Sequence, residues 1–188
     1  MPKKKFNQKN KSLNLKVNSE IYLQILTENL VTQSYVSWLN EYEIMAFTEQ
    51  AGLNHTMEST KNYVHSCYNN SLIYFFGIFF KDRHIGNIKL GPINEKHSTA
   101  EISYVIGCRE YWGQGIASKA INAILLFGFT ELGLHKISAS AYENNIGSIK
   151  ALLKNKMKIE GTFKENLLHE NKRIDLISLG VLKNNFLS

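Results

Sequence analysis

One run past mid-chain holds the residue types from which an anion site can be built: Glu101-Ile102-Ser103-Tyr104-Val105-Ile106-Gly107-Cys108-Arg109-Glu110-Tyr111-Trp112-Gly113-Gln114-Gly115-Ile116-Ala117-Ser118. Its first part predicts a strand, its two glycines a tight turn, and the apolar stretch from Ile116 a helix. The first amides of a helix lack internal acceptors and stand at the positive end of its dipole, roughly half an elementary charge. Together they suit a pyrophosphate. Gly113 and Gly115 let the backbone approach the phosphates without a Cβ in the way, and Ala117 keeps the first turn small. As structure alone, such a turn is also an ordinary strand-to-helix connection. Two other nucleotide loops do not fit: a phosphate-binding loop ends in Gly-Lys-Ser/Thr where this chain has Gly-Ile-Ala, and a dinucleotide fold wants a third glycine where Ser118 stands.

A second set of residues has acid, base or binding chemistry. By alternation Glu101, Ser103 and Val105 share one face of their strand, and a carboxylate in mid-sheet is either a general base in a cleft or a structurally hydrogen-bonded Glu. Trp38, Glu49, Gln50 and His55 are candidates for acceptor contact. Trp38 either stacks on a sugar or peptide or packs in the core from an amphipathic helix; Glu49 could hold an ammonium. Tyr142, at a strand end, is a candidate acid or substrate contact, or simple packing. His55 and His97 have the intrinsic pKa for base work, but isolated histidines read equally as surface residues. Cys67 and Cys108 are far apart, with no ligand spacing for a metal, so no metal is expected.

The elements that must position these residues follow from period and punctuation. Strands are expected at Glu20–Leu26, Ile73–Phe80, Ile85–Leu90, Thr99–Ile106 and Lys136–Tyr142, with a hairpin connection over Lys81–His84, and two closing strands near Gly161–Leu168 and Arg173–Leu182. Helices are expected at Leu30–Leu39, from a Thr56 cap to about Asn69, at Ile116–Leu132 and at Asn145–Lys156. Residues 40–55 read as irregular. The order is an antiparallel meander followed by strand-helix-strand-helix-strand-strand, a mixed α/β layout in one domain over residues 13–188. Pro2 and Pro92 fall outside the element interiors.

On these residues the chain resembles the GNAT superfamily of N-acetyltransferases, and within it the ribosomal-protein alanine (RimJ/RimL-like) branch. The segment Trp112 to Ala117 is similar to that branch's acyl-CoA pyrophosphate loop. Downstream, Tyr142-Glu143-Asn144-Asn145-Ile146-Gly147-Ser148-Ile149 contains the family's Asn-x-x-Ser, and Ile159-Glu160-Gly161 and Arg173-Ile174-Asp175-Leu176 fit its last strands. The likeness covers roughly residues 20 to 183 and implies a central twisted, mostly antiparallel sheet with a splayed parallel pair and helices on both faces. It implies acetyl-CoA as co-substrate, held by Val105, Ile106, Gly107, Trp112, Gly113, Gln114, Gly115, Ile116, Ala117, Ser118 and Asn145, the Asn against the pantetheine arm. It also implies an amide within Val105 to Gly107 for the oxyanion, and Glu101 as base acting through water. Three departures stand out: Trp112 replaces a common Gln or Arg, Leu152 stands where many relatives carry an acid Tyr, and Lys156-Met157 replaces Gly-Phe. With that Tyr position empty, Ser148 becomes the candidate acid, against the reading of a helix-start Ser serving the backbone.

The acceptor implied is a primary amine: an amino sugar nucleotide, or a protein N-terminus as in the branch's namesakes. A CoA-binding module without catalysis is the reading from another class. A homodimer is left open. The net charge of +6 suggests an acidic partner, but Lys3, Lys4, Lys5, Lys9 and Lys11 sit with no acid in residues 1 to 11, expected to be a basic disordered tail, so the body is near neutral and gives no argument for nucleic acid. No stretch has the length of a membrane span and the N-terminus lacks a signal peptide's apolar region, so no membrane partner and a cytoplasmic location are expected.

Overall fold

The computed structural model describes residues 13–188; the basic segment 1–12 lies outside the described residues. In chain order the elements are β1 (Asn14–Lys16), β2 (Ile21–Ile25), α1 (Gln33–Asn40), α2 (Tyr42–Met45), α3 (Met57–Asn69), β3 (Tyr74–Phe80), β4 (Arg83–Leu90), β5 (Thr99–Ile106), α4 (Ile116–Thr130), β6 (Lys136–Tyr142), α5 (Ile146–Lys154), β7 (Lys158–His169), β8 (Lys172–Leu182) and α6 (Lys183–Leu187), with single 3-10 turns at Glu28–Leu30 and Arg109–Tyr111. The eight strands form one sheet in the order β1-β2-β3-β4-β5-β6-β8-β7. β5 and β6 run parallel, whereas their neighbours pair antiparallel.

Local chemistry accounts for most boundaries. Thr56 caps α3 in a reciprocal box: its hydroxyl accepts from the Ser59 amide at 3.0 Å and the Ser59 hydroxyl accepts from the Thr56 amide at 2.9 Å. Thr32 caps α1 with a single bond, its hydroxyl accepting from the Tyr35 amide, so that helix starts at Gln33, three residues later than its apolar spacing suggests. β3 is buried on both faces over Tyr74–Phe79, which is why it shows no alternation. α4 buries most of its circumference; Ile121, Ile124, Leu125 and Phe129 are fully enclosed, each stabilising the fold by about 1.5–3 kcal/mol.

Helices cover both faces of the sheet. A Cβ at Gly128 of α4 would meet Leu90 and Ile137, so α4 lies on the Ile88–Leu90 side. The alternate residue Lys89 bonds Tyr63 of α3, so α3 lies on the other. Three short elements escape sequence periodicity: β1, α2 and α6 are too brief to show one, and pairing or packing holds them. The last strands are longer than expected, with register shifts at Ile159/Gly161 and Phe163/Leu167. No helix among the described residues is long and apolar enough to cross a membrane.

Candidate active site

The site begins where two strands part. β5 and β6 pair only through Thr99–Glu101 and Lys136–Ser138. On its other edge β5 stays paired with β4, where the Gly91 amide donates to Glu101 and the Gly107 amide to Ile85. Backbone groups of an antiparallel strand point alternately to either side. Residues 101, 103, 105 and 107 therefore turn theirs to β4, and residues 102, 104 and 106 turn theirs into the gap left by β6. Of the amides expected for an oxyanion within Val105 to Gly107, Ile106 faces the gap, while Gly107 is already bonded. The Ile106 carbonyl accepts the Trp112 indole N–H at 2.8 Å, which fixes the loop against the strand end.

That loop has the backbone its glycines foretell. Gly113 and Gly115 have φ of 75° and 73°, and no atom stands within 4 Å of where a Cβ would be at either. Gly115 is the N-cap of α4 with no side chain bonding the first turn, and the Lys119 amide is bonded to Gly115. The amides of the first turn are thus left pointing outward in front of an open space. Gln114 turns back to the Glu110 carbonyl at 2.6 Å, and Arg109 reaches Glu41 at 3.0 Å and Glu43, tying the loop to α2. Ile116 is buried, so its contribution is its amide alone. The Ser118 side chain is also committed, accepting from buried Asn155 at 3.0 Å.

A groove of about 620 Å³ runs from this loop to α5, lined among others by Trp112, Gly113, Ala117, Asn145 and Ser148. Asn145 caps α5, accepting from the Ser148 amide at 3.1 Å. Lys150 and Lys154, one turn apart on α5, line the same groove; the sequence analysis passed over both, although their i, i+4 spacing downstream of the Asn-x-x-Ser was a usable signal. The space and the charge fit a phosphorylated nucleotide arm.

A second chamber of about 430 Å³ opens on the opposite face, under α1 and α3. Gln50, His55, Tyr63, Lys89 and Ser103 contribute to its wall. Thr48, Tyr104 and Val105 line both cavities, so the two meet at the fork. The segment 41–55 is ordered rather than irregular: Asn40 accepts from the His55 amide at 2.9 Å and donates to its carbonyl at 2.8 Å. His55 Nε2 is buried and has no hydrogen-bond partner among the described residues.

The candidate acid touches a residue that the sequence analysis missed. The Ser148 hydroxyl lies 2.8 Å from the Tyr104 hydroxyl. Burial pushes the Tyr104 phenol above its ordinary pKa, with Ser148 opposing, so it keeps its proton at neutral pH. Tyr104 lies on the strand face opposite Glu101, so alternation from Glu101 does not reach it. Leu152, at the position of the family's Tyr, is fully buried and cannot serve.

Other candidates lie elsewhere. Glu101 is exposed at the vertex of the fork, where its carboxylate accepts from Ser140 of β6 at 3.3 Å; it is on the face of the second chamber but not among the chamber's lining residues. Trp38 is 4% exposed and packs on Gly107, edge-on to His84 at 5.0 Å, so the stacking platform gives way to core packing. Glu49 accepts from the Tyr142 hydroxyl at 2.8 Å. Neither is among the residues lining the second chamber; they brace the 46–55 segment, helped by Phe47 against Tyr142 and His169. Burial first, then the Glu49 hydrogen bond and charge, pushes Tyr142 up to about 12.

The acetyltransferase (GNAT) domain family matches residues 22–158. The N-acetyltransferase p20 of Bacillus licheniformis, itself uncharacterized, is 33% identical over 113 residues, 59% of this chain and 63% of that one, so the match spans less than two thirds of the relative's length. A spermidine N-acetyltransferase from Vibrio cholerae, solved with CoA and spermine, superposes with a TM-score of 0.81 at 22% identity over 91% of this chain and 100% of that one. RimL, a ribosomal L7/L12 alpha-N-protein acetyltransferase solved with coenzyme A, does so with a TM-score of 0.83 at 16% identity over 90% and 98%. At these identities the structural likeness is one of fold.

Proposed function

The chain belongs to the GNAT acetyltransferase family, and from that premise we propose that it is a cytoplasmic enzyme moving an acetyl group from acetyl-CoA to a primary amine by direct attack within a ternary complex. The observation that carries this reading is the meeting of two cavities at the β5–β6 fork, with Thr48, Tyr104 and Val105 in both walls. A donor in one cavity and an acceptor in the other can be held in line there, and such positioning supplies much of the barrier reduction.

When bound, acetyl-CoA supplies the activated acetyl thioester. The first-turn amides of α4 and the loop glycines hold its diphosphate, with Lys150 and Lys154 alongside. The Ile106 and Tyr104 amides face the gap where an oxyanion would need donors. Glu101 accepts the amine's proton through water, and the Tyr104–Ser148 pair gives one to the departing thiolate. Acid–base help of this kind is worth about 10²–10⁴-fold. The ribosomal-protein branch is part of our reading on the strength of the loop and Asn145-x-x-Ser148. A protein N-terminus stands as the alternative acceptor because RimL shares the backbone.

Acetyl-CoA-dependent thiol release, measured with an amine panel for wild type and Glu101→Gln, tests the mechanism. A loss of rate with unchanged coenzyme affinity is expected. Equal rates remove Glu101 from the chemistry. Coenzyme binding with no turnover of any amine makes the chain a binding module instead.

A further inference from the structure

Resting on the acetyl-transfer reading, we infer that the acceptor is an anionic primary amine, one bearing a carboxylate or phosphate as well as the nucleophilic nitrogen, and that Lys89 receives the anion. Lys89 sits on β4 opposite Ser103 and beside Phe75, on the face that lines the acceptor chamber. It is half-buried, and its ammonium donates to the Tyr63 hydroxyl at 3.1 Å and lies 5.8 Å from that ring. No carboxylate among the described residues lies within ion-pair reach of it, although Arg83, Arg109, Lys136 and Lys164 each have one. Residues 1–12 contain no Asp or Glu, so the counter-ion does not come from there either. Glu101, on the same strand face, turns to Ser140 instead.

An ammonium held in a chamber wall with no acid facing it is placed to meet a ligand's anion. The Tyr63 hydroxyl that accepts from Lys89 holds the ammonium in the chamber wall. His55 Nε2, buried in the wall and unpartnered, adds another polar contact. The lining described for this chamber includes Lys89 and no Asp or Glu. A polyamine would bring a second ammonium towards Lys89 with no acid to receive it, which is a built-in rejection.

The test pairs each amine with a partner lacking the anion: glucosamine phosphate against glucosamine, and alanine against alaninamide, with spermidine as the polycation. kcat/KM by thiol release and affinity for the coenzyme A-loaded protein by calorimetry are both read. The expected result is a preference of about tenfold or more for at least one anionic member, the worth of one charge-assisted hydrogen bond. The pair that shows it tells phosphate from carboxylate. Lys89→Met should abolish that preference, bringing kcat/KM for the anionic member down to that of its neutral partner, with coenzyme affinity unchanged. Equal handling of both members of each pair, preference for spermidine, or an equal loss on all amines in Lys89→Met would overturn the inference. Selective binding of an anionic amine without turnover would leave it standing and remove acetyl transfer alone.

Discussion

The Tyr104 hydroxyl of β5 and the Ser148 hydroxyl of α5 stand 2.8 Å apart where the groove along α4 and α5 meets the chamber under α1 and α3. A phenol whose pKa is raised by burial thus shares a hydrogen bond with the serine of the Asn145-x-x-Ser148 motif. If the pair delivers one proton, Tyr104→Phe and Ser148→Ala each lower kcat by about 10²–10⁴-fold. The double variant is no slower than the worse single one, because groups acting as a unit are not additive. Steady-state rates of the three variants check this; losses that multiply would mean separate roles.

Gly107→Ala destabilises the fold. Its new methyl would fall inside the Trp38 ring, which is itself buried. Overpacking of this kind costs about 1–3 kcal/mol. Denaturant midpoints should show it, and Trp38→Leu in the same chain should recover part of the loss.

Gly113→Ala and Gly115→Ala behave differently, since neither methyl meets an atom within 4 Å. The positive φ at both costs about 1–2 kcal/mol per residue, and the methyls stand where the diphosphate would lie. Coenzyme A affinity by calorimetry is expected to fall about tenfold or more, with the circular dichroism spectrum unchanged. Unchanged affinity would place the diphosphate elsewhere.

Stability falls above pH 10. An unfolded tyrosine titrates near 10, whereas native Tyr142 is pushed up to about 12 and Tyr104 is also raised. Between those values the native chain binds protons the unfolded chain has released. The contribution is therefore complete below about pH 10 and is lost as pH climbs towards 12. Denaturant midpoints across this window measure the slope. Glu49→Gln removes the negative charge beside Tyr142 and keeps only a neutral amide oxygen as acceptor, so its titration moves down and the slope flattens.

Asn155→Ala loosens α4 from α5. The buried Asn155 amide donates to the Ser118 carbonyl and hydroxyl at 3.0 Å each and to the Ala151 carbonyl at 2.8 Å. Its loss strands buried acceptors at a cost of about 1–3 kcal/mol, read as a lowered thermal midpoint.

Much of the fold was legible because its causes are local. β5 and β6 match their expected bounds, α3 starts on its Thr56 cap, and the apolar α4 opens at Ile116 as read. The glycine turn was legible for the same reason: two glycines just ahead of an apolar helical run permit the positive φ that a tight turn into a helix uses. Segment 40–55 was not, since Asn40 organises it by bonding His55 across 15 positions. Trp38 was ambiguous because amphipathic spacing says that a face is buried, not against what.

By itself, the sequence determined the mixed order of strands and helices, the tight turn at Gly113 and Gly115, and the capping of α3 by Thr56, all of which depend on neighbours a few residues away. Tertiary structure alone decided that Tyr104 meets Ser148, that Glu49 holds Tyr142, and that Lys89 looks into a chamber with no acid opposite it. Those contacts join residues 26 to 93 positions apart. They are set by strand register and by which helix covers which face of the sheet, and neither leaves a periodic trace along the chain.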